Sequence, residues 1–192
     1  TYQDISERKA AESQIAEFAY HDSLTGLPNR RLLMDRLTQA QHASARSGKA
    51  GALLFLDLDR FKWINDNLGH DMGDVLLQEV STRLQSCFRT TDTVARLGGD
   101  EFVVVVQDLG VVDAQVKERA QTLAHKVLRA MREPVQFGDV QHTITCSIGI
   151  AIFVGLARTP AELFKHADSA MYRAKAMGRN TACVEGPETD SG

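Results

Sequence analysis

The stretch TVARLGGDEFVVVV, Thr93–Val106, holds two runs of strand-favouring residues separated by two glycines and two acids. Because glycine readily adopts the backbone angles of tight turns, this pattern predicts a β-hairpin. Asp100 and Glu101 are then expected in the turn of the hairpin. A second stretch, GALLFLDLD at Gly51–Asp59, is continuously apolar until it ends in two acids, which is typical of a buried central strand.

The rest of the chain predicts helices packed on a sheet. Helical patterns are found at Thr1–Tyr20, Asn29–Ala45, Phe61–Gly69, Asp74–Phe88, Val112–Met131 and Pro160–Met177, and further strands at His142–Phe153 and Thr181–Glu185. After the helical start, the order is β-α-α-β-β-α-β-α-β. This order predicts an α+β fold, with a ferredoxin-like or polymerase-palm-like, mostly antiparallel sheet flanked by helices and preceded by an N-terminal linker helix.

The composition is that of an ordinary globular domain. The chain has 192 residues, 43% of them hydrophobic and 24% charged, which argues against a wholly disordered or collagen-like protein. Its 22 basic and 25 acidic side chains leave a net charge of −3, so nothing in the charge favours a nucleic-acid partner. We expect a helical linker at 1–20, one domain at 21–185 and a polar tail at 186–192.

The location of the chain is predicted from its cysteines and its apolar runs. The three widely spaced cysteines form no CxxC pair and are expected to be reduced thiols, as in a cytoplasmic protein. No apolar run approaches the ~18–20 residues of a membrane span, so no direct membrane insertion is expected. A chain that starts with Thr1 is expected to come from a longer parent, which could be anchored elsewhere.

Acidic residues are predicted to gather at one edge of the sheet. Asp57 and Asp59 are two residues apart and share a face if the strand is regular, and the hairpin would add Asp100 and Glu101. Two carboxylates ~4 Å apart repel by roughly 4 kcal/mol at an effective dielectric constant of ~20, so such a cluster favours a bound cation. Mg²⁺ prefers oxygen ligands of this kind. The alternative is that the acids of the turn are simply solvated.

Several motifs resemble the GGDEF domain of bacterial diguanylate cyclases. GGDEF itself occupies Gly98–Phe102, and DSLTGLPNRR, DLDRFKWINDNLGHDMGD, SIGIA and ADSAMYRAKAMGRN also occur in the order of the family. Together they span about Ala19 to Cys183. Such agreement is far more specific than a lone glycine motif. At the start, DISERKAAE resembles the end of a PAS sensor domain, which implies an upstream sensor domain in the parent chain.

The resemblance implies a reaction and a metal site. Members of the family join two GTP molecules into cyclic di-GMP, with release of two pyrophosphates, across a homodimer. The catalytic residues are then Asp57, Asp100 and Glu101, and the ligands of Mg²⁺, or alternatively Mn²⁺, are Asp57, the carbonyl of Leu58, Asp100 and Glu101. Which group accepts the proton of the 3′-hydroxyl stays open.

The resemblance also implies the contacts to GTP. The phosphates would meet the backbone at Arg60, Phe61 and Lys62, the glycines of the hairpin, and three basic side chains. The complete set of these residues is Phe61, Lys62, Gly98, Gly99, Lys175 and Arg179. An alternative for Lys175 and Arg179 is that they only complement the dipole at a helix end. If the last helix continues, these two side chains share one face of it.

The resemblance further implies that two residues recognise the guanine and that two others bind the product. Asn65 and Asp74 would read the guanine, although Asn65 could be a turn residue and Asp74 a helix N-cap. Arg89 and Asp92 stand at the spacing of the inhibitory product site of the family, where cyclic di-GMP would bind; the alternative is a surface salt bridge. Asp22, with Thr25, is expected to stabilise a turn near the acidic edge.

Two other functions are alternatives to the cyclase. The first is a non-catalytic regulatory domain that binds GTP or cyclic di-GMP and controls an attached module, such as a phosphodiesterase domain. The second is a palm-type nucleotidyl transferase that extends a primer. The absence of a basic groove signal counts against the second alternative.

Overall fold

The computed structural model describes residues 1–185; the predicted polar tail at 186–192 lies outside them. The helices are α1 (Tyr2–Tyr20), α2 (Arg30–Ser47), α3 (Phe61–Leu68), α4 (His70–Cys87), α5 (Val116–Met131) and α6 (Pro160–Ala176). The strands are β1 (Ala50–Leu58), β2 (Thr93–Gly98), β3 (Glu101–Gly110), β4 (Val135–Phe137), β5 (Val140–His142), β6 (Cys146–Phe153) and β7 (Thr181–Val184).

The central sheet has five strands in the order β2-β3-β1-β6-β7. The pairs β2–β3, β3–β1 and β1–β6 are antiparallel, and β6–β7 is parallel, which confirms the predicted α+β fold. In the register of the sheet, Asp57 stands between Glu101 on β3 and Ser147 on β6. The end of the central strand β1 therefore meets the hairpin turn.

Both faces of the sheet are buried, which explains why β1 is apolar at consecutive positions. Leu54 and Leu56 belong to a cluster that includes side chains of α3, α4 and α5. Leu53 and Phe55 belong to a second cluster with α2 and α6. On that second face Gly149 allows β6 to lie directly against α6, since a Cβ there would be 1.9 Å from the carbonyl oxygen of Ala167.

The N-terminal helix α1 stands apart from this core. None of its residues is buried, in agreement with the thin apolar stripe that predicted a linker helix. Its chain leads into α2 through a turn in which the side chain of Asn29 donates to the carbonyl of Ala19. Among residues 1–185, no helix combines the length and the hydropathy that a membrane crossing requires.

Three elements begin four residues away from the sequence prediction, among them α5, which begins at Val116 rather than Val112. Helix α4 begins at His70 rather than Asp74 and runs through Gly73, because Gly69, at a φ of 89°, already makes the turn from α3. Asp74 is therefore not the N-cap of α4. The stretch predicted as a strand from His142 begins at Cys146, and a separate small hairpin, β4–β5, precedes it. Strands of three residues are too short for a periodic pattern to show them.

Candidate active site

Three carboxylates meet where β1 ends beside the hairpin turn. Glu101 is the register partner of Asp57, and the amide of Leu58 donates to the carbonyl of Asp100 at 3.2 Å. The two turn glycines have φ values of 138° and 51°, which side chains with a Cβ rarely adopt. We call Asp57, Asp100 and Glu101 the acidic edge.

Asp57 is the buried centre of the acidic edge. Its side chain forms an ion pair with Lys175 through Oδ2, whereas Oδ1 is buried and has no hydrogen-bond partner within the described residues. Burial, followed by the neighbouring carboxylate of Asp57, raises the pKa of Asp100 to about 7. Burial and the charges of Asp57 and Asp168 also raise the pKa of Glu101. Burial and mutual repulsion thus disfavour ionisation of all three carboxylates at once.

The fourth acid, Asp59, is not part of the acidic edge, because its carboxylate is hydrogen-bonded to other residues. Its carboxylate accepts hydrogen bonds from the hydroxyls of Thr145 at 2.6 Å and Ser147 at 2.7 Å, and from the amide of Asn180 at 3.0 Å. The strand ends at Leu58, and these donors satisfy both oxygens of Asp59. The expected cluster of up to four carboxylates is therefore corrected to three, and Asp59 joins β6 to the loop after α6.

The oxygens of the acidic edge fit a divalent cation. Within residues 1–185, no three His, Cys, Asp or Glu side chains already stand in the arrangement of a metal site. The unpartnered Oδ1 of Asp57 is nevertheless a buried acceptor, and a cation beside it would offset the negative charge that contributes to the raised pKa of Asp100. Carboxylate and carbonyl oxygens are the donors that Mg²⁺ prefers. Asp57, Asp100, Glu101 and the Leu58 carbonyl are thus suited to hold it.

The residues expected to bind phosphate lie around the start of α3 and the end of α6. Arg60 is the N-cap of α3, and no side chain caps the helix there. Phe61 packs into the core, so only its backbone is available to a ligand. Helix α6 ends at Ala176, so Lys175 and Arg179 do not share a continuous helical face, contrary to expectation. Lys175 instead reaches Asp57, and Arg179 lines a cavity of about 410 Å³.

The two residues expected to read the guanine are neighbours in space. Asn65 lies within α3, not in a turn, and its side chain rests against Gly73 of α4. A Cβ on Gly73 would be 2.0 Å from Oδ1 of Asn65. Asp74 follows Gly73 directly and is exposed to solvent. Gly73 therefore allows Asn65 to approach α4 beside Asp74.

Arg89 and Asp92 form a structured turn at the start of β2. The carboxylate of Asp92, 3% exposed, accepts from the amides of Arg89 and Gln107, both at 3.0 Å. The guanidinium of Arg89 donates to the carbonyls of Gln107 and Asp108 but remains 62% exposed. Its Nε is 3.7 Å from Asp92, so the salt bridge named as the alternative to a product site is present but long. Both residues line a cavity of about 380 Å³.

The sequence did not predict a role for Arg96, which the structure places between Asp22 and the hairpin turn. Its Nη1 donates to both carboxylate oxygens of Asp22 at 2.9 and 3.1 Å, while Nε and Nη2 donate to the carbonyl of Gly99 at 3.0 and 2.8 Å. Asp22 also accepts from the amide and hydroxyl of Thr25. This confirms the expectation that Asp22 stabilises a turn near the acidic edge. The two partners are 74 residues apart, and no spacing in the sequence connects them.

Comparison with known proteins gives a match over most of the chain. Residues 19–181 match the model of the family described as "Diguanylate cyclase, GGDEF domain". The chain is 45% identical over 173 residues to the bifunctional diguanylate cyclase/cyclic di-GMP phosphodiesterase MucR of Pseudomonas aeruginosa. That alignment covers 90% of this chain but only 24% of MucR, so the chain spans about a quarter of that relative.

Solved structures show the same fold. The GGDEF domain of TpbB from Pseudomonas aeruginosa superposes with a TM-score of 0.80 at 39% identity, covering 87% of this chain and 95% of that domain. The GGDEF domain of DgcB from Caulobacter crescentus, solved in complex with c-di-GMP, has a TM-score of 0.76 at 27% identity. It covers 86% of this chain and 93% of that domain.

Proposed function

This chain belongs to the GGDEF family of diguanylate cyclase domains, and from that premise we propose that it condenses two GTP molecules into cyclic di-GMP. In each of two steps, the 3′-hydroxyl oxygen of one GTP bonds to the α-phosphorus of the other. The bond from that phosphorus to the bridging oxygen breaks, and pyrophosphate leaves with the electron pair. The hydroxyl proton is also released. The observation that carries the proposal is the acidic edge itself, with its unpartnered Asp57 oxygen.

Asp57, Asp100, Glu101 and the Leu58 carbonyl would hold the metal. When bound, Mg²⁺, or Mn²⁺ in its place, stabilises charge that develops on the α-phosphate. Asp57 forms an ion pair with Lys175, and the raised pKa keeps Asp100 partly protonated near neutral pH. With a cation at these oxygens, Lys175 would be free to turn to a phosphate, and Asp100 would ionise.

Basic groups and backbone amides would hold the phosphates. Lys62, Lys175 and Arg179 supply positive charge, and the amides of Arg60, Phe61 and Lys62 at the start of α3 supply donors. The turn of Gly98 and Gly99, which has no side chains, permits close approach of the nucleotide. Together these groups would orient the α-phosphate towards the acidic edge.

Asn65 and Asp74 would select guanine. A carboxylate accepts hydrogen bonds from both N1–H and the exocyclic amine of guanine, a pair of donors that adenine does not offer. The contact of Asn65 with Gly73, the residue before Asp74, supports a shared role of the two side chains. We therefore assign GTP rather than ATP as the substrate.

A homodimer would be the active form, because each domain supplies one GTP and the two nucleotides must face each other. Helix α1, with no buried residue, is available to connect the domain to an upstream sensor. Arg89 and Asp92 would bind cyclic di-GMP as a feedback inhibitor, with the exposed guanidinium facing the guanine edge. We place the domain in the cytoplasm, where GTP is available.

The proposal is tested by incubating the purified chain with GTP and Mg²⁺ at several protein concentrations and identifying products by mass spectrometry. We expect cyclic di-GMP and pyrophosphate, with a rate that rises more steeply than linearly with protein. Glu101→Ala and Asp100→Ala should abolish the product; Asp139→Ala, in the turn between β4 and β5, is the control. GTP binding without turnover at any concentration would indicate the regulatory alternative instead.

A further inference from the structure

The loop between α6 and β7 has an unusual backbone. It comprises residues 177–180, and we call it the α6–β7 loop. Gly178, Arg179 and Asn180 have successive positive φ values of 106°, 64° and 47°. Left-handed backbone costs free energy in residues that have a Cβ, so two such residues in succession need contacts that hold them in this conformation.

The side chains of Arg179 and Asn180 do not supply these contacts. The guanidinium of Arg179 makes no hydrogen bond or ion pair with any residue in 1–185. The Oδ1 atom of Asn180 is buried and has no hydrogen-bond partner among the same residues. The amide of Arg179 donates to the carbonyl of Ala174, which only completes the end of α6. The conformation of the loop beyond α6 therefore depends on the backbone of Asn180.

The carboxylate of Asp59 holds that backbone. The amide of Asn180 donates to its Oδ2 at 3.0 Å. The same carboxylate accepts from the hydroxyls of Thr145 at 2.6 Å and Ser147 at 2.7 Å, and the amide of Asp59 donates to the carbonyl of Thr145 at 2.8 Å. Because Asp59 is only 7% exposed, water competes little for these bonds. Asp59 is thus itself fixed in place and can hold the loop.

These contacts connect strands that are not neighbours in the sheet. Strand β6 lies between β1 and β7. Ser147 of β6 is the register partner of Asp57 on β1 and of Thr181 on β7. Asp59 follows the end of β1, and the amide that it accepts belongs to the residue before Thr181. The carboxylate therefore spans β6 and ties the start of β7, and Arg179 just before it, to the strand that carries Asp57.

We propose that Asp59 is a positioning residue, which fixes the α6–β7 loop so that Arg179 faces the phosphates of GTP. The inference rests on the proposed cyclase function, in which Arg179 binds those phosphates. Asp59 itself touches neither substrate nor metal, because two hydroxyls and one amide occupy its oxygens. Binding groups must be held closely in their productive geometry, and the guanidinium has no other partner to hold it. The role of Asp59 is therefore distinct from that of Asp57.

The test compares the affinities of two ligands for the full chain with Mg²⁺, by calorimetry. The first, 3′-deoxy-GTP, lacks the attacking hydroxyl and cannot turn over, and the second, 3′-deoxyguanosine, also lacks the phosphates. Asp59→Asn, which replaces an acceptor oxygen by a donor, should weaken binding of 3′-deoxy-GTP roughly tenfold and change that of 3′-deoxyguanosine less than about twofold. Ser147→Ala, which removes one hydroxyl from the carboxylate, should weaken 3′-deoxy-GTP selectively by roughly three- to fivefold.

A double-mutant cycle separates positioning from a general loss of stability. In the Arg179→Gln background, Asp59→Asn should cost less than about a further twofold in affinity for 3′-deoxy-GTP, since the group that it positions is already gone. Ser44→Ala is the matched control, because this buried serine makes its hydrogen bonds at the opposite end of the sheet; both affinities should stay unchanged. Circular dichroism would check folding, and Ser147→Ala carries the comparison if Asp59→Asn does not fold.

The outcomes separate this inference from the proposed function. Equal losses for both ligands in Asp59→Asn and Ser147→Ala, or additive losses in the cycle, would overturn the inference even if the parent chain makes cyclic di-GMP. Equal affinity of the parent chain for both ligands would contradict the proposed phosphate contacts and the inference together. Selective and non-additive loss of 3′-deoxy-GTP binding would support the role of Asp59 even if the isolated chain makes no product.

Discussion

At the scale of single residues, Asp57 controls the charge of the acidic edge. It contributes to the raised pKa values of both Asp100 and Glu101, and its Oδ1 has no partner in the described residues. Lys175 offsets only part of this negative charge. The same arrangement that favours a metal therefore makes the metal-free protein sensitive to pH.

Stability of the metal-free chain should fall as the pH rises. The pKa of Asp100 is about 7 in the folded chain and 3.8 as the ordinary value, so the folded state binds this proton more tightly. The free energy of unfolding should decrease between about pH 4 and about pH 7 and then level off. Urea denaturation in the presence of a chelator measures this. Asp100→Asn should reduce the slope, and Asp139→Asn should not; an equal slope in Asp100→Asn would contradict the assignment.

The ion pair of Asp22 and Arg96 should matter more for stability than surface pairs. Their side chains are only 15% and 11% exposed, and Arg96 also binds the Gly99 carbonyl. Asp22→Asn should cost about 2–3 kcal/mol of unfolding free energy, because it leaves a largely buried guanidinium poorly paired. Glu12→Gln, which removes an exposed pair with Arg8, should cost less than about 0.5 kcal/mol. Chemical denaturation of both variants compares them, and equal losses would contradict this difference.

At the scale of secondary structure, two glycines allow elements to approach closely, with different consequences. Gly73 brings α4 against the side chain of Asn65, whereas Gly149 brings β6 against the backbone of α6. A side chain can move aside, but the backbone of a packed helix cannot without loss of the core.

Gly73→Ala should therefore lower the selectivity for GTP over ATP without unfolding the domain. The new methyl group would displace Asn65, so GTP should lose part of its advantage over ATP in competition binding, by roughly tenfold. The fold should persist, because alanine favours a helix by about 1 kcal/mol over glycine. Gly149→Ala, in contrast, should destabilise the domain by several kcal/mol or prevent folding. Unchanged selectivity in Gly73→Ala would exclude Asn65 from guanine recognition.

At the scale of the whole molecule, the acidic edge and the Arg89–Asp92 turn lie at different ends of the β2–β3 hairpin. The acidic edge is at the turn between β2 and β3. Arg89 and Asp92 precede β2 and bind the backbone at Gln107 and Asp108, near the far end of β3. A ligand at Arg89 therefore does not compete directly for the proposed metal and GTP sites.

Arg89→Ala should remove product inhibition and leave the initial rate similar. The variant loses the exposed guanidinium but keeps the buried carboxylate of Asp92 and its backbone contacts. Progress curves with added cyclic di-GMP measure the effect, and the control is Arg129→Ala on the exposed side of α5. Inhibition as strong as in the parent would rule out this turn as the product site.

Local patterns in the sequence were sufficient for the sheet and the acidic residues. The apolar run of β1 and the double glycine before Asp100 predicted the central strand and the hairpin, since burial and turn geometry act over a few residues. The order of the strands and helices then indicated the α+β fold. The small β4–β5 hairpin was missed because its strands are only three residues long.

Contacts between distant segments appeared only in the tertiary structure. Asp59 looked equivalent to Asp57 in the sequence, yet hydroxyls of residues near the start of β6 satisfy it, and Arg96 reaches Asp22 across 74 residues. The cavity that Arg179 lines likewise joins the start of α3, the end of β5 and the loop after α6. Amino-acid patterns indicate the local conformation that neighbouring residues prefer. Which distant side chains come into contact depends instead on how the whole sheet and its helices pack. The sequence therefore determined which chemical groups and strands are present, and the packing decided which of those groups meet.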